Sequence, residues 1–132
     1  MKLLLENWRQ YLTEDAAEDF AREIRKEHGI ELWMHERFKG DEYVRPIVTL
    51  ESIVVPKEQR GTGVGTLVMN KIVEWAEAND VIISLTPSSD FGGKVARLKK
   101  FYRNFGFVPN KGRKKEYRTR DTLIRYPRGK AE

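Results

Sequence analysis

Residues 53–66 read Ile53-Val54-Val55-Pro56-Lys57-Glu58-Gln59-Arg60-Gly61-Thr62-Gly63-Val64-Gly65-Thr66, and this stretch decides the fold. The β-branched start predicts the end of a strand, Pro56 stops it, and the glycines form a turn that opens a helix. Three glycines spaced by single residues let the backbone approach a ligand with no Cβ in the way. The first-turn N–H groups of the helix lack intrahelical partners, so with the positive end of the dipole they make an anion site, most naturally for a pyrophosphate. A phosphate-binding loop would end in Gly-Lys-Ser/Thr, and a dinucleotide fingerprint would need a glycine at position 66, where Thr66 stands. A tight turn kept for packing alone is the competing reading of such a Gly-x-Gly pair.

Downstream, Val64, Leu67, Val68, Ile72, Trp75 and Ala76 recur at three- and four-residue spacing, which predicts an amphipathic helix. Val81 to Leu85 is a short apolar run between Asp80 and Pro87, the pattern of a buried strand flanked by helices. A polar loop, Thr86-Pro87-Ser88-Ser89-Asp90-Phe91-Gly92-Gly93, precedes a further helix through Val95, Leu98, Phe101, Tyr102 and Phe105, closed by Gly106. Phe107 and Val108, then Tyr117 to Tyr126, read as final strands around a basic turn. Upstream, Ile30 to Phe38 and Tyr43 to Val55 read as two strands joined at Gly40-Asp41, with Pro46 marking a break or an edge at the front of the second. Before them, Thr13 caps a helix that Gly29 ends, with Phe20, Ala21 and Ile24 on its inner face. Met1 to Leu12 has the spacing of a short amphipathic helix, which packs on the parent domain or docks to a partner. The fold class is α/β (α+β): one domain over 1–132, a mixed central β-sheet flanked by helices around a β-helix-β core, with 1–12 as a helical extension.

A length of 132 residues fits one domain and leaves no room for a second full one. No apolar run reaches the 18 or so residues of a spanning helix, and the apolar stretch near the start is too short for a signal peptide. The absence of cysteine excludes disulfides, a thiol nucleophile and Cys-ligated metal, so a cytoplasmic protein is expected. The net charge of +5 hides an asymmetry: residues 1–93 hold 11 Lys/Arg against 17 Asp/Glu, whereas residues 94–132 hold 14 against 3. The carboxyl-terminal third therefore carries a field suited to a polyanion, whether phosphate, nucleic acid or an acidic protein surface; a plain solvated basic surface is the alternative.

Arg60-Gly61-Thr62-Gly63-Val64-Gly65 matches the R/Q-x-x-G-x-G/A signature and resembles the acetyl-coenzyme A site of the GNAT superfamily of N-acetyltransferases. Some forty residues on, Phe101-Tyr102-Arg103-Asn104-Phe105-Gly106-Phe107 resembles the family's Leu-Tyr-x-x-x-Gly-Phe element. The similarity runs from Ile47 to Val108 and loosely over the last strands; residues 1–38 carry no signature, so a shortened or variant amino-terminal part is expected.

The resemblance implies an acetyltransferase with acetyl-coenzyme A as co-substrate, no metal, and an amine acceptor, small molecule or protein. Arg60, Gly61, Thr62, Gly63, Val64, Gly65 and Thr66 would hold the pyrophosphate through main-chain N–H groups, so Gly63→Val should abolish binding. Ile53, Val54 and Val55 would lie where their strand splays from its neighbour, with free main-chain groups for the pantetheine arm and the thioester carbonyl. Tyr102 matches the tyrosine that protonates the departing thiolate, and a phenol near pKa 10 is well matched to a thiol near 8.5. A core aromatic is its bland reading. The acceptor amine must lose a proton, and Glu51, on the strand leading into the site, is the candidate base, against an exposed strand carboxylate or a substrate contact. His35 is a weaker candidate, read as a strand surface residue. Val95 departs from the family, many of whose members carry asparagine there, so groups of the 86–93 loop substitute for it, line the acceptor pocket or simply cap a helix. The other readings are a basic nucleic-acid or acidic-partner binding module using Lys111 to Lys130 and a coenzyme A-binding protein without catalysis. A homodimer stays open, and no membrane partner is expected.

Overall fold

The computed structural model describes residues 16–41, 43–87, 95–113 and 115–127. The expected helix over 1–12 and its neighbouring cap Thr13 lie outside these residues, as do positions 88–93 of the polar loop, Lys94 and 128–132.

Helix α1 (Ala16–His28) carries Glu18 and Asp19 in its first turn and Arg25, Lys26 and His28 in its last, as the macrodipole favours. Ala17, Ala21 and Ile24 form its buried stripe. It stops at Gly29, whose φ of +65° a side chain would resist and whose N–H returns to Arg25 O at 2.9 Å. Strand β1 (Glu31–Phe38) then alternates buried Leu32 and Met34 with exposed Glu31 and Trp33, and the Arg25 guanidinium lies over the Trp33 ring.

The second strand, β2 (Ile47–Val54), begins four residues later than the apolar pattern predicts. The Asp41 carboxylate accepts the N–H groups of Tyr43 at 2.7 Å and Val44 at 2.9 Å, which winds that segment into a turn, and Pro46 has no N–H to give a ladder. Gly40 is required there because a Cβ would meet Pro46 N and Val44 O at 2.5 Å.

A 3₁₀ turn (Lys57–Gln59) leads into α2 (Val64–Asn79), which buries Val68, Met69, Ile72 and Ala76 and ends on Asp80 in the left-handed region. Strand β3 (Ile82–Leu85) is wholly buried. Helix α3 (Val95–Arg103) follows, stopping short of Phe105 because the chain turns through Asn104 to Gly106, whose φ is +96°. The last strands are short: β4 (Val108–Pro109) and β5 (Leu123–Arg125). The long strand expected over Tyr117 to Tyr126 shrinks to β5 because side chains satisfy the backbone before it. Asn110 Oδ1 accepts the Glu116 N–H at 2.7 Å, Glu116 Oε1 accepts that of Arg118 and Thr119 Oγ1 accepts that of Asp121.

The sheet order is β1-β2-β3-β5-β4, with β2 and β3 parallel and every other pair antiparallel. This is the mixed sheet with flanking helices that the sequence predicts. Alternation along the strands separates two faces. Val48, Leu50, Ile83 and Leu85 join α1, α2, Tyr102 and Phe107 in one core, while Ile47, Ile82 and Ile124 form a smaller cluster on the other face. Among the described residues no helix is long and apolar enough to cross a membrane.

Candidate active site

Strands β2 and β3 pair only from Ile47/Ile82 to Thr49/Ser84. Beyond that rung β2 runs on to Val54 while β3 ends one residue later at Leu85, so residues 50–54 have no strand partner on their β3 side among the described residues. The parted strands open a cleft of about 330 Å³. Its floor is Leu50 to Val55, its opposite wall Leu85, Thr86 and Pro87, and its roof Arg97, Leu98 and Tyr102 of α3. A strand edge left this way offers N–H and C=O groups that water or a ligand must satisfy.

The glycine turn adjoins the open end of β2. Gly61 and Gly63 have φ of +83° and +86°, which only glycine adopts without strain. Gly63 is the N-cap of α2 and supplies no side chain to the orphan amides of the first turn. Arg60 donates from Nε to Val55 O at 3.1 Å, so it straps the turn to the end of β2. A Cβ on Gly61 or Gly63 would meet no heavy atom within 4 Å, whereas one on Gly65 would touch Val55 Cγ2 at 3.7 Å. The space in front of Gly61 and Gly63 is therefore open, while the Thr62 N–H turns back to Gln59 O at 3.3 Å.

Tyr102 enters the cleft from α3, its ring held edge-on by Phe101 and Phe107 at centroid distances of 5.4 and 5.7 Å. Burial pushes its phenol above the ordinary tyrosine value, so it stays protonated through the neutral range. Glu51 lies at a bulge, the extra β2 residue between the pairs Trp33/Ser52 and Met34/Leu50. Its side chain lines the cleft, with Oε1 at 3.2 Å from His35 Nδ1. At the apex, where the strands part, Thr49 and Ser84 hydroxyls lie 3.2 Å apart. Ser84 and Thr86 donate to the two oxygens of Asp121 at 2.7 and 2.9 Å, and Arg37 Nε reaches Thr49 Oγ1 at 2.9 Å. This polar seam ties four segments together at the point where the cleft begins.

The structure thus gathers Glu51, Ile53, Val54, Val55, Arg60 and Tyr102 around one cleft, with Gly61 to Thr66 forming the turn and helix start beside Arg60. Thr86 and Pro87, the described part of the polar loop, line it too. Sequence reasoning missed Arg97, five residues before Tyr102 on α3, and the Ser84–Asp121 seam. The first was hidden among other basic residues, and the second joins positions 37 apart that no periodicity links.

The model of the acetyltransferase (GNAT) domain matches residues 16–109. Among solved structures, a tyrosine-to-phenylalanine mutant of the AtaT toxin, bound to the C-terminus of the antitoxin AtaR and acetyl-CoA, is similar at 18% identity with a TM-score of 0.40. The match covers 72% of this chain and 55% of that one, so the chain spans about half the length of the toxin structure. No curated protein matches the chain.

Proposed function

Because this chain belongs to the acetyltransferase (GNAT) family, we propose that it moves an acetyl group from acetyl-coenzyme A to a primary amine by direct transfer within a ternary complex. The observation that carries this reading is the parting of β2 and β3 after Thr49/Ser84, directly beside the glycine turn that opens α2. The residues fit the donor: free strand amides, an uncapped helix start and an open space in front of both suit an extended chain ending in phosphates. When bound, acetyl-coenzyme A supplies an acyl group activated as a thioester.

The chain's residues divide the work. Amides of Gly61 to Thr66 hold the pyrophosphate, with Arg60 fixing the turn. Main-chain groups of Ile53, Val54 and Val55 hold the pantetheine arm and donate to the carbonyl oxygen as it gains negative charge. Glu51 takes the proton that an ammonium must lose before its nitrogen can attack, and Tyr102 gives a proton to the leaving sulfur. With no cysteine in the chain, a Cys acyl-enzyme plays no part.

The test is thiol release from acetyl-coenzyme A across a panel of amines, with calorimetry of coenzyme binding alongside. Tyr102→Phe should lower kcat by about 10²-fold or more while changing the Kd for acetyl-coenzyme A by less than about threefold. Equal turnover by that variant removes Tyr102 from the mechanism, and binding without turnover by the parent protein leaves a coenzyme-binding protein. The reading as a nucleic-acid module gains less support. Arg118 is held by Glu116 and Arg45 O, and Arg125 by Glu77 and Phe105 O, so part of the basic third is spent inside the fold.

A further inference from the structure

His35 is the titratable group nearest the candidate base on the neighbouring strand. It sits on β1 opposite Thr49, with a third of its side chain exposed, and its Nδ1 lies 3.2 Å from Glu51 Oε1. Alternation puts Glu51 on the same face of β2 as Thr49, which pairs with His35, and the bulge leaves Glu51 without a β1 partner of its own. Resting on the reading of Glu51 as base, we propose that His35 is its positioning residue and pH gate. The neutral ring donates Nδ1–H to Oε1 and leaves Oε2 for the acceptor ammonium; the protonated ring ties the carboxylate into an ion pair and weakens it as a base.

The proton balance is simple. An N–H bond of the ammonium breaks, its electron pair stays on nitrogen, and the proton goes to the free Glu51 oxygen, later passing to solvent. A carboxylate that swings freely would present that oxygen in many directions, and half of the Glu51 side chain is exposed, so something must hold it. As a surface pair the contact adds little stability, so its value lies in orientation.

Other charged groups around the pair cannot imitate this gate. On β1, Arg37 is bound to Thr49 Oγ1, and Glu31 accepts from Ser52 Oγ at 3.0 Å. Across the cleft stand Arg60, Arg97 and Tyr102. Burial pushes the Tyr102 phenol up, and among these side chains imidazole alone can serve both as a neutral N–H donor and as a cation.

The experiment compares the full chain with Glu51→Gln, His35→Leu and His35→Gln, measuring kcat/KM for one accepted amine from pH 6 to 8.5. Ionisation of the amine affects all four alike, so ratios between them are read. His35→Leu should lose about tenfold at pH 8, and His35→Gln, which keeps an N–H donor but no charge, should recover most of that loss. The ratio of His35→Gln to the parent should rise as pH falls from 8 to 6. A flat ratio, or parent-level activity in His35→Leu with Glu51→Gln impaired, overturns the proposal and leaves the acetyltransferase reading intact. Full activity in Glu51→Gln overturns Glu51 as base and the proposal with it. The ring ¹⁵N shifts of His35 supply a readout independent of turnover: Nδ1 should carry the proton in the parent and lose that preference in Glu51→Ala, which has no acceptor, and an unchanged tautomer overturns the pairing even where no amine is acetylated.

Discussion

Two glycines two residues apart should answer alanine in opposite ways. Gly63 sits at φ 86°, ψ 5° as the N-cap of α2, and Gly65 lies in its first turn. An L side chain in the left-handed region costs about 1–2 kcal/mol, only partly offset by the smaller unfolded-state entropy of alanine, so Gly63→Ala should lose roughly 1 kcal/mol of stability. At Gly65 the backbone is helical and the new Cβ meets Val55 Cγ2 at 3.7 Å, an ordinary contact. Replacing a helical glycine by alanine there should gain about 0.5–1 kcal/mol. The two proteins should therefore differ by roughly 1.5–2 kcal/mol, or about 5–10 °C in Tm for a domain of this size, read by calorimetric melting. Binding should separate them as well. The Cβ at position 63 projects into the open space before the turn, where an anion would be held, and should weaken acetyl-coenzyme A by about tenfold or more; that at position 65 packs back on β2 and should leave the Kd within about threefold. Equal melting of the two variants would refute the backbone argument. A destabilised Gly63→Ala that binds as well as the parent would refute the phosphate cradle while leaving the strain intact.

Three further outcomes follow from the packing and the polar seam. Phe107 is 1% exposed and holds the Tyr102 ring edge-on, so Phe107→Ala should cost about 3–5 kcal/mol by urea midpoint and slow turnover in whatever fraction stays folded; a loss below about 1 kcal/mol would contradict its place in the core. Glu116 is held below the ordinary carboxylate value by hydrogen bonds from Arg118, a stabilisation present above the unfolded value and lost as pH falls through the folded one. Glu116→Gln should therefore lose about 1–2 kcal/mol at pH 7 and show little difference from the parent in acid, and a pH-independent loss would assign the effect to packing. Asp121→Ala strips acceptors from Ser84, which is fully buried, and from Thr86 at the cleft wall, so it should cost about 1–3 kcal/mol and raise the KM for acetyl-coenzyme A; an unchanged KM would show that the seam does not shape the cleft.

The helices and the central strands are legible in the sequence because each obeys one local period. Val68, Ile72 and Ala76 mark the buried stripe of α2, and the apolar run at 82–85 marks β3. Legibility fails where side chains compete for the backbone. Asp41 winds Tyr43 and Val44 into a turn although both favour strands, and Asn110, Glu116 and Thr119 do the same ahead of β5. The glycine turn is readable because it needs a backbone conformation that only certain residues supply, and that need is written at single positions.

The cleft itself is not written anywhere in that sense. It exists because β2 is eight residues long and β3 four, so that two strands starting together at Ile47 and Ile82 cannot stay together. The difference arises because β3 ends at Leu85, two residues before Pro87, while β2 continues against β1 to Val54. The bulge at Glu51 is of the same kind, a mismatch of count between β1 and β2 that sequence alternation alone does not reveal. The proposed mechanism therefore rests on two failures of pairing, one that leaves main-chain amides open beside the cleft and one that leaves Glu51 without a β1 partner there. Deleting Glu51, the one residue between Leu50 and Ser52, should remove the second and its carboxylate while leaving the first. Such a chain should keep its affinity for acetyl-coenzyme A to within about threefold while its kcat falls by about 10²-fold or more, because the candidate base, not the cradle, has been removed. Parallel loss of both binding and turnover would instead mean that the bulge is part of what holds the strands apart.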